Sequence, residues 1–197
     1  MTTRRHRSPD HAPVVGYLGR LAPEKGIEAL VSAMELLDGL DFSPSPRLEV
    51  GGAPLFVDRS GAKRVERALL SLGDRVFHHG WVERSSFLAS IDVLACPSTW
   101  EEPFGLVAAE AMAARVPVVV SDAGALPEVV GPEHPYTARA GDPRSLARVL
   151  HRALRELGTD AGDAVVGRAR RRWEELWSPA AGRARVAELL ADLGVLA

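Results

Sequence analysis

Two carboxylates, Glu102 and Glu110, stand eight positions apart in the segment PSTWEEPFGLVAAEAMAARVPVVV, Pro97 to Val120, between two apolar runs. Were the whole interval helical, the pair would be separated by roughly 12 Å at about 1.5 Å per residue. Two acids that share one proton sit much closer, so this spacing suits opposite ends of an elongated polar ligand. Glu102-Pro103-Phe104-Gly105-Leu106 leads into a helix start, where the early amides point outward to meet hydroxyls or phosphate oxygens. Pro103 has no donor to lose there, Gly105 permits close backbone approach, and Glu102 faces the same space from just outside the helix. Glu110 lies further along, amid Leu106, Val107, Ala111 and Met112, where a carboxylate needs a partner. A ligand hydroxyl pair is one candidate partner; an ion pair with a basic residue such as Arg115 is the other.

A second cluster, Gly19-Arg20-Leu21-Ala22-Pro23-Glu24-Lys25-Gly26, sets two cations on a loop between the first apolar run and a helix. A paired Arg and Lys with free amides at a helix start suit a diphosphate; the competing reading is two solvated surface charges. Other chemistries lack their spacing. The chain has no G-x-x-x-x-G-K-[ST] loop, no G-x-G-x-x-G after the first strand and no G-x-S-x-G elbow. His78, His79, His134 and His151 show no zinc-ligand pattern and read as core-edge or surface histidines, while Cys96 reads as packed against a sheet.

The elements that must position these residues follow from the alternation of apolar runs and amphipathic stretches. Strands are expected at Val14–Leu18, Leu48–Val50, Val76–His79, Val93–Cys96, Pro117–Val120 and Tyr136–Ala138. Helices are expected at 26–37, 63–72, 84–90 and 105–114, and a further one after Gly141-Asp142-Pro143, where Asp142 can cap and Pro143 suits the first turn. That last helix carries Leu146, Val149, Leu150, Ala153, Leu154 and Leu157 at three-four spacing, the stripe of a helix on a sheet. Such alternation predicts an α/β domain, a parallel sheet of about six strands covered on both faces. Ligands of such sheets bind at the carboxyl ends of the strands, which gathers the loops 19–25, 51–54, 80–83 and 97–105. Beyond Gly158 the chain reads as helical and polar, with Trp173 and Trp177 anchoring a surface helix beside Arg168, Arg170, Arg171 and Arg172. The expected division is a flexible tail over 1–13, one domain over 14–157 and a helical extension over 158–197.

With 197 residues, 46% hydrophobic and 25% charged, the composition is that of a globular protein rather than a disordered or membrane-embedded one. A formal net charge of −2 gives no argument for nucleic acid, and a single cysteine rules out an internal disulfide. No apolar run approaches the roughly 20 residues needed to span a bilayer, so any membrane contact is expected to be peripheral. The basic opening, MTTRRHRSPDHAP, lacks the apolar stretch of a secretory signal, and a cytoplasmic setting is the default expectation.

Taken in order, these segments closely resemble the nucleotide-sugar-binding, C-terminal half of retaining GT-B glycosyltransferases of the E-x7-E type, the glycosyl transferases group 1. The matching pieces are Gly19-Arg20 to Lys25-Gly26, Gly51-Gly52-Ala53-Pro54, Arg75 to Gly80, Asp92 to Ser98, the double-Glu block, Ser121 to Glu128 and Gly141-Asp142-Pro143. The resemblance implies a Rossmann-like domain in which Gly19, Arg20 and Lys25 meet the donor diphosphate and Arg20 and Lys25 stabilise its departure. It assigns Glu102 to the transferred sugar, the amides around Phe104, Gly105 and Leu106 to sugar hydroxyls and phosphate, Glu110 to the ribose, and Gly80-Trp81-Val82 to the wall of the base pocket. It implies a donor substrate, a nucleoside-diphosphate sugar, and neither metal nor cofactor. It also implies a second half, a GT-B N-terminal acceptor domain on a separate chain or an oligomer mate. A non-catalytic nucleotide-sugar-binding module, and another GT-B activity such as an epimerase or phosphorylase, are the alternatives. Departures from the family pattern stand at Arg115 and Ala125, where glycine is usual, and at Gly52-Ala53 in place of an acidic-glycine pair. A non-glycine residue held at positive φ costs about 1 kcal/mol or more.

Overall fold

The computed structural model describes residues 12–38, 40 and 42–194, so the tail expected over 1–13 lies, except for Ala12 and Pro13, outside the described residues. Six strands form one sheet: β1 Val14–Leu18, β2 Arg47–Gly51, β3 Val76–Gly80, β4 Val93–Cys96, β5 Val118–Ser121 and β6 Thr137–Ala138. All pairings are parallel and the spatial order is β3-β2-β1-β4-β5-β6. The chain winds outward from β1 in one direction, then returns to β1's other side with β4. That reversal makes the carboxyl ends of β1 and β4 the switch point of the sheet, the place where ligands of such sheets bind.

Strand period explains how both faces are filled. Val15, Tyr17, Val93, Ala95 and Val119 face the layer of α1 Ile27–Leu37, α2 Arg59–Ser71 and α6 Pro143–Arg155. Val14, Leu94, Val118 and Val120 face the opposite layer, with α3 Arg84–Ser90, α4 Leu106–Ala113 and α5 Leu126–Val130. Because both faces are apolar at the centre of the sheet, β1, β4 and β5 read as nearly continuous hydrophobic runs, while β2, RLEVG, alternates and the edge strand β3, VFHHG, is exposed along its middle.

Two helices depart from the sequence expectation. Helix α2 starts a turn before Lys63, because Asp58 caps it by accepting from the Gly61 amide at 2.8 Å. Helix α5, five residues long, was not anticipated; so short a segment shows no helical period. The cap at Asp142 is as expected: Oδ1 accepts from the amides of Arg144 and Ser145, both at 3.0 Å, which holds its carboxyl below the usual range.

After α6 come α7 Asp160–Arg172, a π-helical turn Trp173–Trp177 and α8 Pro179–Asp192. Trp177 Nε1 donates to the Val129 carbonyl at 3.0 Å, Arg172 Nη2 to the Glu128 carbonyl at 2.7 Å, and Arg170 lies 4.6 Å above the Trp173 ring. The tryptophans thus fix this extension against α5 and α4. No helix among the described residues is long and apolar enough to cross a membrane.

Candidate functional site

The loop after β1 is built around Arg20. The buried Tyr17 hydroxyl donates to the Arg20 carbonyl at 2.5 Å, fixing the backbone where the strand ends. The guanidinium donates from Nη2 to Glu24 Oε1 at 3.0 Å and from Nη1 to the Leu55 carbonyl at 3.3 Å. A short 3-10 turn, Pro23–Lys25, then ends at Gly26, whose φ of 74° reverses the chain into α1. A Cβ on Gly26 would lie 1.8 Å from the Pro97 carbonyl oxygen, so the β1 and β4 loops touch backbone to backbone. Thr99 adds to this contact, its amide donating to the Glu24 carbonyl at 2.9 Å.

This abutment puts Lys25 Nζ 2.6 Å from Glu102 Oε2, with the Ser98 hydroxyl donating to the same oxygen at 3.0 Å. Both ionic side chains are largely buried, 21% and 16% exposed, so the pair is shielded from bulk water. The β5–α5 loop grips Glu102 from behind: the Ala125 amide donates to its carbonyl at 2.8 Å, and a Cβ on Gly124 would lie 2.2 Å from its amide nitrogen. Beneath the cluster, burial pushes the Cys96 thiol up to about 12, with Glu102 raising it further and Lys25 opposing. Burial likewise raises the Tyr17 hydroxyl far above its ordinary value, reinforced by Cys96 and by the carboxylates of Glu102 and Glu24. Arg20, Glu24, Lys25 and Glu102 therefore act on one electrostatic neighbourhood at the switch point of the sheet.

Glu110 belongs to a different partner set. Arg84 Nη1 lies 2.6 Å from its Oε1, while Oε2 is buried with no hydrogen-bond partner among the described residues. Arg115, the basic residue suggested by sequence proximity, is directed elsewhere by the backbone. It sits past the end of α4 with φ 58°, its amide bonded to the Met112 carbonyl at 3.2 Å and that of Val116 to Ala111 at 2.9 Å. These two bonds form a Schellman turn with arginine at the position that favours glycine. The positive φ required there is the strain expected at Arg115; Ala125, at φ −80°, carries none.

The remaining expected residues lie in or beside the loops that follow β1, β3 and β4. Gly19 follows β1 with its amide on the Gly51 carbonyl, and Gly80 closes β3 with φ 64°. Trp81 is 79% exposed, whereas Val82 packs into the core on the α3–α4 side. The Phe104 ring meets Trp177 edge-on, with centroids 5.0 Å apart. Gly105, at φ 89°, starts α4, and Leu106 is 56% exposed in its first turn. Sequence reasoning gave no site role to Ser98, Arg84, Tyr17 or Gly124; Arg84 and Gly124 meet their partners only through the tertiary fold, whereas Tyr17 and Ser98 bond residues three and four positions on. Among the described residues no three or more His, Cys, Asp or Glu are placed to hold a metal ion.

A six-stranded parallel sheet reversing at β1/β4, with cations and carboxylates on the loops at that point, defines a Rossmann-like domain of the kind that forms half of a GT-B glycosyltransferase. The chain belongs to the glycosyl transferases group 1 family, which residues 12–156 match. It is 38% identical over 148 residues to 2-deoxystreptamine glucosyltransferase of Streptomyces kanamyceticus, covering 72% of this chain and 36% of that protein. Among solved structures it resembles sucrose-phosphate synthase from Thermosynechococcus elongatus, with 31% identity and TM-score 0.77 over 94% of this chain and 46% of that one. It also resembles HepE of Anabaena in complex with UDP-glucose, with 26% identity and TM-score 0.81 over 93% of this chain and 50% of that one. The chain thus spans between about a third and a half of the length of these relatives.

Proposed function

We propose that this chain binds a nucleoside-diphosphate sugar over the carboxyl ends of β1 and β4 and supports transfer of the sugar with retention of configuration. The observation that carries the reading is the shielded Lys25–Glu102 pair, held by two abutting loops beside Arg20 at the switch point. HepE, whose structure holds UDP-glucose, is the neighbour that favours this class of donor.

In this reading Arg20 and Lys25 bind the diphosphate. An ammonium has three donors, so Lys25 keeps one on Glu102 and turns another to phosphate. As the glycosidic bond breaks, negative charge grows on the bridging phosphate oxygen. The two cations and the amino end of α4 then stabilise the transition state more than the ground state, and no metal or cofactor is required of the mechanism. Glu102 hydrogen-bonds the sugar rather than attacking it, and Glu110 accepts from the ribose. The base lies against Gly80, Trp81 and Val82, and the backbone of Phe104, Gly105 and Leu106 meets sugar hydroxyls and phosphate. Residues 14–157 carry the donor site, with 158–194 bracing α4 and α5. An acceptor-binding half completes the cleft, supplied by another domain, another chain or an oligomer mate.

A thermal-shift panel of UDP, GDP, ADP and TDP sugars tests this. Ligand at about 100 times its Kd adds roughly 2.7 kcal/mol, which for a chain of this size raises Tm by about 5–11 °C. The reading fails if no nucleotide shifts the protein, or if Glu110→Ala and Arg20→Ala leave the shift intact.

A further inference from the structure

Arg84 opens α3 immediately after Glu83, and Glu83 does not compete for it. The Glu83 carboxylate is engaged by the Ser85 hydroxyl and amide and by the Ser86 amide, which hold it down at about 2. The guanidinium instead crosses to α4 and takes Glu110 Oε1 at 2.6 Å. The second oxygen, Oε2, is closed off from solvent and accepts nothing among the described residues. One oxygen of Glu110 is therefore occupied and the other shut.

A guanidinium and a ribose hydroxyl are alternative donors to a carboxylate oxygen, and with Oε2 shut both must use Oε1. We infer that Arg84 is a latch on Glu110: in the empty chain it fills the acceptor position that the ribose diol of the donor takes, and binding requires it to let go. The inference rests on the proposed assignment of Glu110 to the ribose. Exposure favours Arg84 as the moving partner, because its side chain is 62% exposed and that of Glu110 only 24%. The guanidinium can swing into water with little loss, while α4 keeps the carboxylate in place. The latch makes ribose hydroxyls the means of release, so it tunes the preference for ribo- over dideoxynucleotides.

The test is titration calorimetry of the full chain with the best-bound nucleoside diphosphate of the panel and with its 2′,3′-dideoxy counterpart. Wild type, Arg84→Ala, Arg84→Gln and Glu110→Gln are compared by the ratio of dideoxy to ribo Kd. Loss of a positive charge weakens both ligands alike and cancels in that ratio. Both Arg84 variants should raise the ratio about two- to fivefold, the range of an exposed ion pair removed as competitor. Glu110→Gln should bring it close to one. An unchanged ratio in the Arg84 variants overturns the latch, and a falling ratio overturns it in favour of an Arg84 that helps hold ribose. A ratio insensitive to Glu110→Gln, or a wild type that binds no nucleoside diphosphate, removes the ribose assignment itself.

Discussion

Gly26 is where two loops meet most closely, and replacing it separates conformational strain from steric collision. Its φ of 74° disfavours any residue with a Cβ by about 1–2 kcal/mol. In addition, that Cβ would lie 1.8 Å from the Pro97 carbonyl oxygen and 2.6 Å from its carbon, both backbone atoms that no rotamer change can move. Forcing the loops apart should cost a further 1–3 kcal/mol or so, the scale of overpacking. The total for Gly26→Ala is about 2–5 kcal/mol, or roughly 4–20 °C in Tm for a chain of this length. Two substitutions supply the comparison. Gly73 has φ 54° with nothing within 4 Å of its Cβ position, so Gly73→Ala isolates the strain and should cost only about 1 kcal/mol. Gly182 lies within α8 with open space around it, and Gly182→Ala should stabilise by about 0.5–1 kcal/mol. Calorimetric melting of the set, with nucleotide titration of the folded variants, reads both consequences. Because the contact sets Lys25 against Glu102, Gly26→Ala should also weaken nucleotide binding at least tenfold while Gly73→Ala leaves it alone. A Gly26→Ala protein no less stable than Gly73→Ala would refute the proposed abutment of the β1 and β4 loops.

Two further predictions concern single positions. Arg115→Gly should raise stability by about 0.5–1 kcal/mol, the relief of positive φ less the greater freedom of glycine in the unfolded chain; an unchanged or lower Tm would show that the Schellman turn carries no strain. His134 is half-buried, bonded through Nε2 to the Val118 carbonyl at 2.8 Å and packed edge-on against Tyr136, and desolvation lowers its pKa from the ordinary histidine value. With its pKa lowered in the fold, His134 takes up a proton less readily in the folded than in the unfolded chain, so stability should fall as pH drops below about 6.5. The Tm difference between wild type and His134→Gln should accordingly narrow from pH 8 to pH 5, and a flat difference would remove burial of His134 as the cause.

Local features were legible wherever the information is local. The apolar runs marked β1, β4 and β5 most plainly, because a strand buried on both sides needs uninterrupted hydrophobic residues; the edge strand β3, VFHHG, is exposed along its middle. Asp142-Pro143 marked the start of α6 because cap chemistry is settled within four residues. The helix at 126–130 was missed because five residues hold little more than one turn of periodicity. The basic residue that pairs with Glu110 is Arg84 rather than the Arg115 offered as an example, for a related reason. Arg115 is near in sequence, but the Schellman turn carries it past the helix end, and Arg84 arrives from 26 residues upstream.

By itself the sequence determined the order of the six strands, the double-Glu block and the cation-bearing loop, since composition and spacing settle which segments are strands and which side chains carry charge. Only the tertiary structure decided which charges meet. Lys25 and Glu102, 77 residues apart, pair because β4 lies against β1 and Gly26 lets their loops touch. Strand order and loop contact arise from the packing of whole layers, a property no short run of residues contains.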